Sequence, residues 1–313
     1  MKKRKLGNTG IEVAPLALGT NVFGWTIDEQ RSFDILDAFV HAGFNLVDTA
    51  DMYSRWGTGH VGGESETIIG NWLKKSGKRD KIVLATKVGA DMGDGKKGLS
   101  KAYIIRAVEA SLKRLQTDHI DLYQSHFDDE VTPEEETMEA FFQLVKDGKI
   151  IASGASNMSP ERLKQSLDAS RQNNLPTYET LQPHYNLYDR DNYEKNYEPI
   201  CVQNGLGVIC YFPLASGFLT GKYRNEQDFT KSVRGGSMAK FMNERGMRIL
   251  HALDEAAHQY KVTPAAIALA WLMARPSITA PIASATSVTQ LSELMSAATV
   301  LLDDDTVKKL SIG

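Results

Sequence analysis

Short apolar runs and longer segments of helical periodicity alternate along the chain. Each run is short enough for a buried strand, and each longer segment has apolar residues spaced as on one helix face. Ser159-Pro160 and Thr263-Pro264 each offer an N-cap followed by proline at the first helical position, and Ser100 offers another N-cap. The predicted strands are Pro15–Gly19, Phe44–Thr49, Ile82–Lys87, Ile120–His126, Ile150–Ser156, Thr180–Gln182, Gly207–Phe212 and Ile278–Ala283. The predicted helices begin near Asp28, Glu64, Lys101, Pro133, Ser159, Tyr193, Thr263 and Val288.

This alternation of strands and helices indicates parallel βα units and an α/β fold. An open doubly wound sheet and a closed barrel both fit the pattern, and the even count of eight favours a (β/α)8 TIM barrel. Lys5–Val13 predicts an N-terminal β-hairpin that closes one end of the barrel. Phe218–Arg245 is Gly-rich and charged, and predicts a long loop after strand 7, of a length that is usually functional. No Pro/Ser linker divides the chain, so we expect residues 1–313 to form a single domain.

Composition narrows the class of protein without identifying it. The 313 residues are 42% hydrophobic and 24% charged, which excludes a mainly disordered chain. The net charge of −3 gives no reason to expect nucleic acid or a membrane surface as the main partner. Cys201 and Cys210 are the only cysteines, which excludes a disulfide scaffold and fits a reducing compartment. The basic start, Met1–Lys5, lacks a following apolar region, so we expect a cytoplasmic protein; the oligomeric state stays open.

Four polar or aromatic residues near predicted strand ends are candidates for proton chemistry. In a βα barrel the active site lies at the C-terminal ends of the strands, and Asp48, Tyr53, Lys87 and His126 all lie there. A buried lysine needs a counter-ion, and Asp48 ends the strand beside that of Lys87. Each residue alone has an ordinary structural role, such as a cap or a core histidine. Together at one barrel mouth they predict a proton-transfer site.

The chemistry of such a cluster is specific. A phenol with a pKa near 10 is a poor proton donor at neutral pH, and we expect the Lys87 ammonium to lower the pKa of Tyr53. The Asp48 carboxylate holds the lysine charged and oriented. His126 positions a carbonyl oxygen near the phenol. This arrangement suits protonation of an alkoxide as it forms, while hydride arrives at carbon from a cofactor.

Seven motifs in order along nearly the whole chain resemble the aldo-keto reductase superfamily. They are Asp48-Thr-Ala-Asp-Met-Tyr53, Ala85-Thr-Lys87, Tyr123-Gln-Ser-His126, Gly154-Ala-Ser-Asn157, Gln182-Pro-His-Tyr-Asn186, Tyr211–Lys222 and Ala283–Glu293. The resemblance implies reversible, NADPH-dependent reduction of a small aldehyde or ketone to an alcohol, without a metal. It implies a catalytic tetrad of Asp48, Tyr53, Lys87 and His126, with Tyr53 as general acid/base. It also implies a barrel that binds the dinucleotide without a Rossmann domain. The two Gly-x-Gly-x-x-Gly sequences of the chain, Gly57–Gly62 and Gly93–Gly98, do not directly follow a predicted strand, as the Rossmann fingerprint would.

The resemblance also assigns cofactor contacts by function. Ser156, Asn157 and Gln182 match residues that bond the nicotinamide carboxamide, and Tyr211 matches the aromatic that stacks on the nicotinamide ring. The match to the pyrophosphate loop covers Pro213, Leu214, Ala215 and Ser216. The match to the adenosine end covers Gln290 and Glu293, and the match to the ribose 2′-phosphate covers Lys222 and Arg234. The other candidate cofactor contacts are Thr20, Asn21, Gly217, Ser284 and Thr286.

One departure from the family pattern keeps NADH open as the cofactor. The last motif of the family often carries Arg or Lys near the positions of Thr286 and Gln290, and neither is present here. Discrimination by a 2′-phosphate needs positive charge, so the resemblance implies NADPH, with NADH as the alternative.

Two other functions and the substrate remain open. The chain could be an NADPH-binding redox-sensing or channel-associated subunit with little turnover, although channel-associated members carry Asn where His126 stands. It could also be a Schiff-base aldolase using Lys87, which leaves the cofactor matches unexplained. Trp25 and Trp56 suggest an apolar or ring-binding substrate face, whereas Arg55 or His60 would favour a polar or anionic substrate.

Overall fold

A parallel sheet of eight strands lies at the centre of the computed structural model, which describes residues 1–231 and 235–311. Numbered along the chain and given in the order of the sheet, the strands are β10 (Ile282–Ala283), β3 (Ala17–Gly19), β4 (Leu46–Asp48), β5 (Val83–Val88), β6 (Ile120–Ser125), β7 (Ile150–Ser156), β8 (Tyr178–Gln182) and β9 (Gly207–Val208). The Ile282 N–H donates to Cys210 O at 2.9 Å, and Val208 bridges Ile278, so the first and last strands meet. The sheet therefore closes into a (β/α)8 barrel, as the alternation predicts.

The predicted N-terminal hairpin is confirmed. Strands β1 (Arg4–Lys5) and β2 (Glu12–Val13) pair antiparallel. Leu6 and Val13 are fully buried in a cluster with inward-facing residues of the barrel strands. Gly7 has φ +60°, and a Cβ there would lie 2.1 Å from Glu179 O, so only glycine fits this close approach. The hairpin thereby covers the end of the barrel opposite the carboxyl ends of the strands.

The helices pack outside the sheet, and two of the predicted caps form. The Ser159 hydroxyl accepts from Arg162 N at 3.2 Å, and the Thr263 hydroxyl accepts from Ala266 N at 3.2 Å. Ser100 stands at an N-cap position, but the next N–H, of Lys101, donates to Glu136 Oε1. The helices are α1 (Glu29–His41), α2 (Glu64–Ser76), α3 (Lys101–Leu115), α4 (Glu134–Lys146), α5 (Pro160–Gln172), α6 (Glu198–Asn204), α7 (Glu244–Tyr260), α8 (Pro264–Ala274), α9 (Val288–Ser296) and α10 (Asp304–Ser311).

The prediction of eight helices is wrong, because α7 and α10 were not expected. The predicted long loop after strand 7 is present, but it contains 3₁₀ turns at Ala215–Thr220, Glu226–Lys231 and Gly235–Phe241 within the described ranges. Helix α7 begins at Glu244, inside the charged stretch whose composition predicts a loop. Its buried residues, such as Leu250 and Leu253, recur on one face among many charges, and that face packs against α8.

The core lies between the barrel strands and the surrounding helices. Its largest fully buried side chains include Trp72, Trp271, Tyr123 and Phe141. Helix α8 is apolar all round and buried along nearly its whole length. In the two described ranges, no helix combines the length and apolar character needed to cross a membrane.

Candidate active site

A buried ion pair lies where two neighbouring strands end. Lys87 of β5 and Asp48 of β4 place Nζ and Oδ2 2.7 Å apart, with the two side chains only 0% and 1% exposed. The ammonium also donates to Thr49 O at 2.8 Å and to Tyr53 OH at 2.9 Å, which uses all three of its hydrogens. Burial lowers the pKa of Lys87, but Asp48 and Tyr53 outweigh it, and the net pKa is raised. Lys87 is therefore charged at neutral pH.

The second oxygen of Asp48 is bound from the far side of the barrel. Gln182 of β8 donates to Oδ1 at 2.9 Å, and Gln124 of β6 donates to it at 3.2 Å. Gln182 also donates its other amide hydrogen to Gln124 Oε1 at 3.1 Å. The carboxylate is thus held by side chains of three strands, β5, β6 and β8, which limits its rotation.

Tyr53 lies on the loop after β4 and is half-buried at the barrel mouth. The Lys87 ammonium is 4.6 Å from the centre of its ring as well as bonded to its hydroxyl. Burial raises the pKa of Tyr53, and the nearby ammonium only partly opposes that rise. The prediction that the pKa of Tyr53 is lowered is therefore wrong. Lys87 does lower this pKa, but desolvation of the phenolate raises it by more. The hydroxyl is fully protonated at neutral pH.

His126 follows β6 and faces the same opening. Its ring centre is 6.0 Å from that of Tyr53, and Phe127 stacks on it at 4.6 Å. Burial lowers the pKa of His126 well below its ordinary value, and the Lys87 ammonium adds to this. Its buried Nδ1 has no hydrogen-bond partner among the residues that the structure describes. The ring is neutral at pH 7, and it carries one N–H that can donate to an oxygen.

The residues matched to the nicotinamide carboxamide adjoin this cluster. Asn157 donates to His126 O at 2.9 Å and to Ser156 Oγ at 3.1 Å, and its own oxygen accepts from Tyr211 OH at 2.7 Å. Ser156 donates to Gln182 O at 2.9 Å. Asn157 has φ +46°, a left-handed conformation that aims its amide back across the strand ends. The structure therefore brings Ser156, Asn157, Gln182 and Tyr211 together beside the tetrad.

The segment matched to the pyrophosphate loop has an unusual backbone. Ala215, Ser216 and Gly217 have φ values of +47°, +57° and +104°. The N–H groups of Ala215 and Gly217 donate to Phe212 O at 2.9 Å and to Leu214 O at 2.8 Å, so the turn is closed by its own backbone bonds. The Lys222 ammonium lies 3.6 Å from the point that a Cβ on Gly217 would occupy. Pro213 and Leu214 precede this turn, whereas Arg234 lies outside the described residues.

The remaining candidate contacts lie along the ends of β3 and β10. The Ser284 hydroxyl donates to Asn21 Oδ1 at 2.6 Å, and Thr20 joins this edge to the tetrad by donating to Asp48 O at 3.0 Å. Gln290 Oε1 accepts from both the N–H and the hydroxyl of Thr286, each at 2.9 Å. Glu293 lies one turn further along α9.

Aromatic side chains flank the mouth above Tyr53. Trp56 lies with its ring centre 5.9 Å from that of Tyr53, and Trp25 meets Trp56 edge-on at 5.7 Å. Arg55 donates to Asp91 O at 3.0 Å, and a ring nitrogen of His60 lies 2.9 Å from Ser54 O. Both polar candidates for substrate contact are thus bonded to backbone.

Two buried residues at this site, Gln124 and Asp51, were not predicted from the sequence. Gln124 stands two residues before His126 in β6, and strand alternation could have placed it on the same side. Asp51 lies inside the Asp48–Tyr53 motif, and burial together with the Glu66 carboxylate raises its pKa to about 8. Across residues 1–231 and 235–311, no group of three or more His, Cys, Asp or Glu side chains is placed to hold a metal ion.

Comparison with known proteins identifies similar chains. Residues 15–312 match the model of the Aldo/keto reductase family. The chain is 36% identical to the uncharacterized oxidoreductase YrpG of Bacillus subtilis, over 99% of this chain and 95% of that protein. It is 35% identical to the aldo-keto reductase YhdN of the same bacterium, over 88% of this chain and 82% of that one. It is also 30% identical to a probable voltage-gated potassium channel subunit beta of Arabidopsis thaliana, over 96% and 92% of the two chains.

Proposed function

The chain belongs to the aldo/keto reductase family, and on that premise we propose that it reduces an aldehyde or ketone to an alcohol with NADPH. The observation that carries the proposal is the Lys87 ammonium, bonded at once to the Asp48 carboxylate and the Tyr53 hydroxyl. A half-buried phenol with such a partner is suited to give up its proton to an oxygen at the mouth of the barrel.

We propose the following roles for the side chains. When bound, reduced nicotinamide supplies hydride to the carbonyl carbon. Tyr53 gives its hydroxyl proton to the carbonyl oxygen, and the Lys87 ammonium stabilises the phenolate that is left. His126, neutral, donates its N–H to the same oxygen and orients it. Tyr53 then regains a proton from solvent, to which it is partly exposed.

The donor and acceptor groups beside the tetrad fit a nicotinamide. Gln182 uses both amide hydrogens on Asp48 and Gln124, so its oxygen is left to accept. Asn157 likewise uses both amide hydrogens within the protein. We therefore propose that these two oxygens accept from the carboxamide NH₂ and that the Tyr211 ring lies against the nicotinamide.

The phosphate-bearing part of the cofactor also has a fitting surface. We propose that the left-handed turn at Ala215–Gly217 approaches the pyrophosphate and that Lys222, next to this turn, binds the ribose 2′-phosphate. Lys222 also supports NADPH over NADH, because a 2′-phosphate needs a cation. Thr286 and Gln290 are uncharged and bonded to each other, so they add little to that preference.

A Tyr53→Phe variant tests the proposal. We expect it to bind NADPH as the wild type does and to lose about 10²- to 10⁴-fold in the rate of NADPH oxidation with a test aldehyde. Tyr260→Phe is the control, since Tyr260 bonds Thr306 and the Asp303 N–H on the outside of the barrel. Equal turnover in wild type and Tyr53→Phe would contradict the role of Tyr53.

A relative named as a potassium channel subunit supports one alternative, a cofactor-binding subunit with little turnover. Absence of turnover across a broad panel of aldehydes, with NADPH still bound, would favour it. The aldolase alternative is disfavoured, because a Schiff base requires a neutral amine and the pKa of Lys87 is raised. Borohydride trapping of a carbonyl substrate on Lys87 would reverse that judgement.

We also propose that residues 1–313 act as one domain, since the barrel sheet runs from Ala17 to Ala283 and the family match spans 15–312. The free, buried thiols of Cys201 and Cys210 support a reducing compartment such as the cytoplasm. The tryptophans at the mouth support an apolar or ring-bearing carbonyl substrate.

A further inference from the structure

We propose that His184 is a positioning residue that fixes the ring plane of Tyr211 and thereby sets the affinity for nicotinamide, an inference that rests on the proposed function. His184 follows β8 in Gln182-Pro-His-Tyr-Asn186, and no role in the tetrad or in the cofactor contacts accounts for it. Its position against the ring of Tyr211 does account for it.

The two rings are parallel and in contact. Their centres lie 5.4 Å apart with an interplanar angle of 10°, the geometry of an offset stack. The backbones at His184 and Tyr211 form an isolated parallel bridge, and Tyr211 N donates to Pro183 O at 2.9 Å. The stack is therefore built on paired backbone and does not depend on a mobile loop.

His184 is itself anchored on the side away from Tyr211. Its Nε2 lies 3.3 Å from Asp189 Oδ2, and Asn186 donates to the same carboxylate oxygen at 3.2 Å. Asn186 also donates to Phe212 O at 3.1 Å, which ties this group to the residue after Tyr211. Phe212 has φ +52°, a costly conformation for a large side chain, and its ring meets both His184 and Tyr211 edge-on.

Three contacts thus define the orientation of the Tyr211 ring. Its hydroxyl is bonded to Asn157, the ring of Phe212 lies roughly perpendicular to it at 5.2 Å, and His184 is stacked on one face. The hydroxyl bond alone leaves rotation about the ring axis free, because that axis passes through the oxygen. The flat contact with His184 restrains this rotation, together with the ring of Phe212. Loss of His184 should therefore widen the range of ring planes and weaken stacking on the opposite face.

The experiment compares His184→Leu, which removes the ring, with His184→Phe, which keeps a flat ring. The matched control is His251→Leu, since His251 also pairs with a carboxylate, that of Glu255, but is 77% exposed on α7. NADPH dissociation constants come from fluorescence titration. We expect His184→Leu to weaken NADPH binding about two- to tenfold, the range for one aromatic pair, and His184→Phe to recover most of it. The rate at saturating NADPH should stay within about twofold of wild type, because the tetrad is untouched.

A second readout needs no cofactor. Near-ultraviolet circular dichroism should show a weaker tyrosine signal in His184→Leu than in wild type, His184→Phe or His251→Leu. Unchanged NADPH affinity in folded His184→Leu overturns the inference, as does an equal loss in His184→Phe. Should His184→Leu fail to fold, Asp189→Asn frees the histidine from its anchor, and unchanged affinity there overturns the inference instead. If wild type binds neither NADPH nor NADH, the proposed function fails, and the dichroism still decides whether His184 fixes Tyr211.

Discussion

Asp48→Asn is the substitution that most directly tests the charge balance at the centre of the site. The amide keeps the size of the carboxylate but removes the negative charge beside Lys87 Nζ. The ammonium then keeps only neutral partners, Thr49 O and Tyr53 OH. Both members of the pair are essentially unexposed, so solvent cannot replace the lost charge. Removing one partner of a buried pair costs about 3–5 kcal/mol, a large share of the roughly 5–15 kcal/mol that stabilises a typical fold.

The loss should depend on pH in a definite direction. In the wild type the pKa of Lys87 is raised above its ordinary 10.5, so the pair's contribution is fully present below that value and is lost only as pH rises through the folded pKa. In Asp48→Asn the lowering of the Lys87 pKa by burial is no longer opposed by a carboxylate, so we expect that pKa to fall below its unfolded value. The unfolded chain then binds more protons in the window between the two values, and stability rises with pH there, by at most about 1.4 kcal/mol per unit. The penalty of the substitution should shrink as the solution becomes alkaline.

Urea unfolding of wild type and variant at about pH 6.5 and about pH 9.5 measures this change. Asp80→Asn is the control, because Asp80 pairs with Lys81 on the surface, where the two side chains are 70% and 62% exposed. We expect no measurable change in its stability at either pH, since exposed pairs contribute little. A penalty for Asp48→Asn that is under about 1 kcal/mol, or that is the same at both pH values, would refute the assignment of a charged, buried Lys87.

Three further predictions concern single residues. The pKa of Asp51 is raised to about 8, so the wild type loses stability as pH rises from about 4 to that value. Asp51→Asn avoids this loss, and urea unfolding should show it to be more stable than the wild type near pH 9 but no more stable at pH 5. Because the pKa of His126 is far below 6.5, the rate of carbonyl reduction should stay flat from about pH 7.5 to 6, and a fall centred near 6.5 would contradict a neutral ring. In fluorescence titrations, Lys222→Ala should raise the dissociation constant of NADPH about tenfold and leave that of NADH within about twofold, with Arg248→Ala as a surface control. An equal loss of affinity for both cofactors would exclude a 2′-phosphate contact.

The barrel was predictable from the sequence because its strands and helix starts are marked by residues close together in the chain. Ser159 and Thr263 cap their helices through contacts three residues away, and each strand is a short apolar run. Helix α7 was not predictable in the same way. Its apolar face is recognisable only from its packing against α8, because its sequence is as charged as the stretch that precedes it. The end of the seventh strand was also overestimated: β9 stops at Val208, and Phe212 adopts a left-handed conformation that no apolar pattern reveals.

The pairing of Asp48 with Lys87 was predictable for a topological reason. The two residues end neighbouring strands, and carboxyl ends of neighbouring parallel strands lie at one edge. The direction of the Tyr53 pKa shift was not predictable, since it depends on how much water the folded mouth excludes. The contact between His184 and Tyr211 was also hidden, because it requires the register of two segments 27 positions apart in the chain, shown here by their backbone bridge.

The protonation states of the cluster at neutral pH match the starting state of the proposed reduction. At neutral pH Tyr53 keeps its proton, Lys87 is charged and His126 is neutral. An alkoxide forming at the mouth is far more basic than a phenolate, so a phenol with a raised pKa still gives it a proton readily. The reverse reaction needs a phenolate to remove a proton from an alcohol, and burial makes that phenolate scarce at neutral pH. The proposed reduction therefore starts from the protonation state of Tyr53 that predominates at neutral pH, whereas alcohol oxidation would start from a minor one.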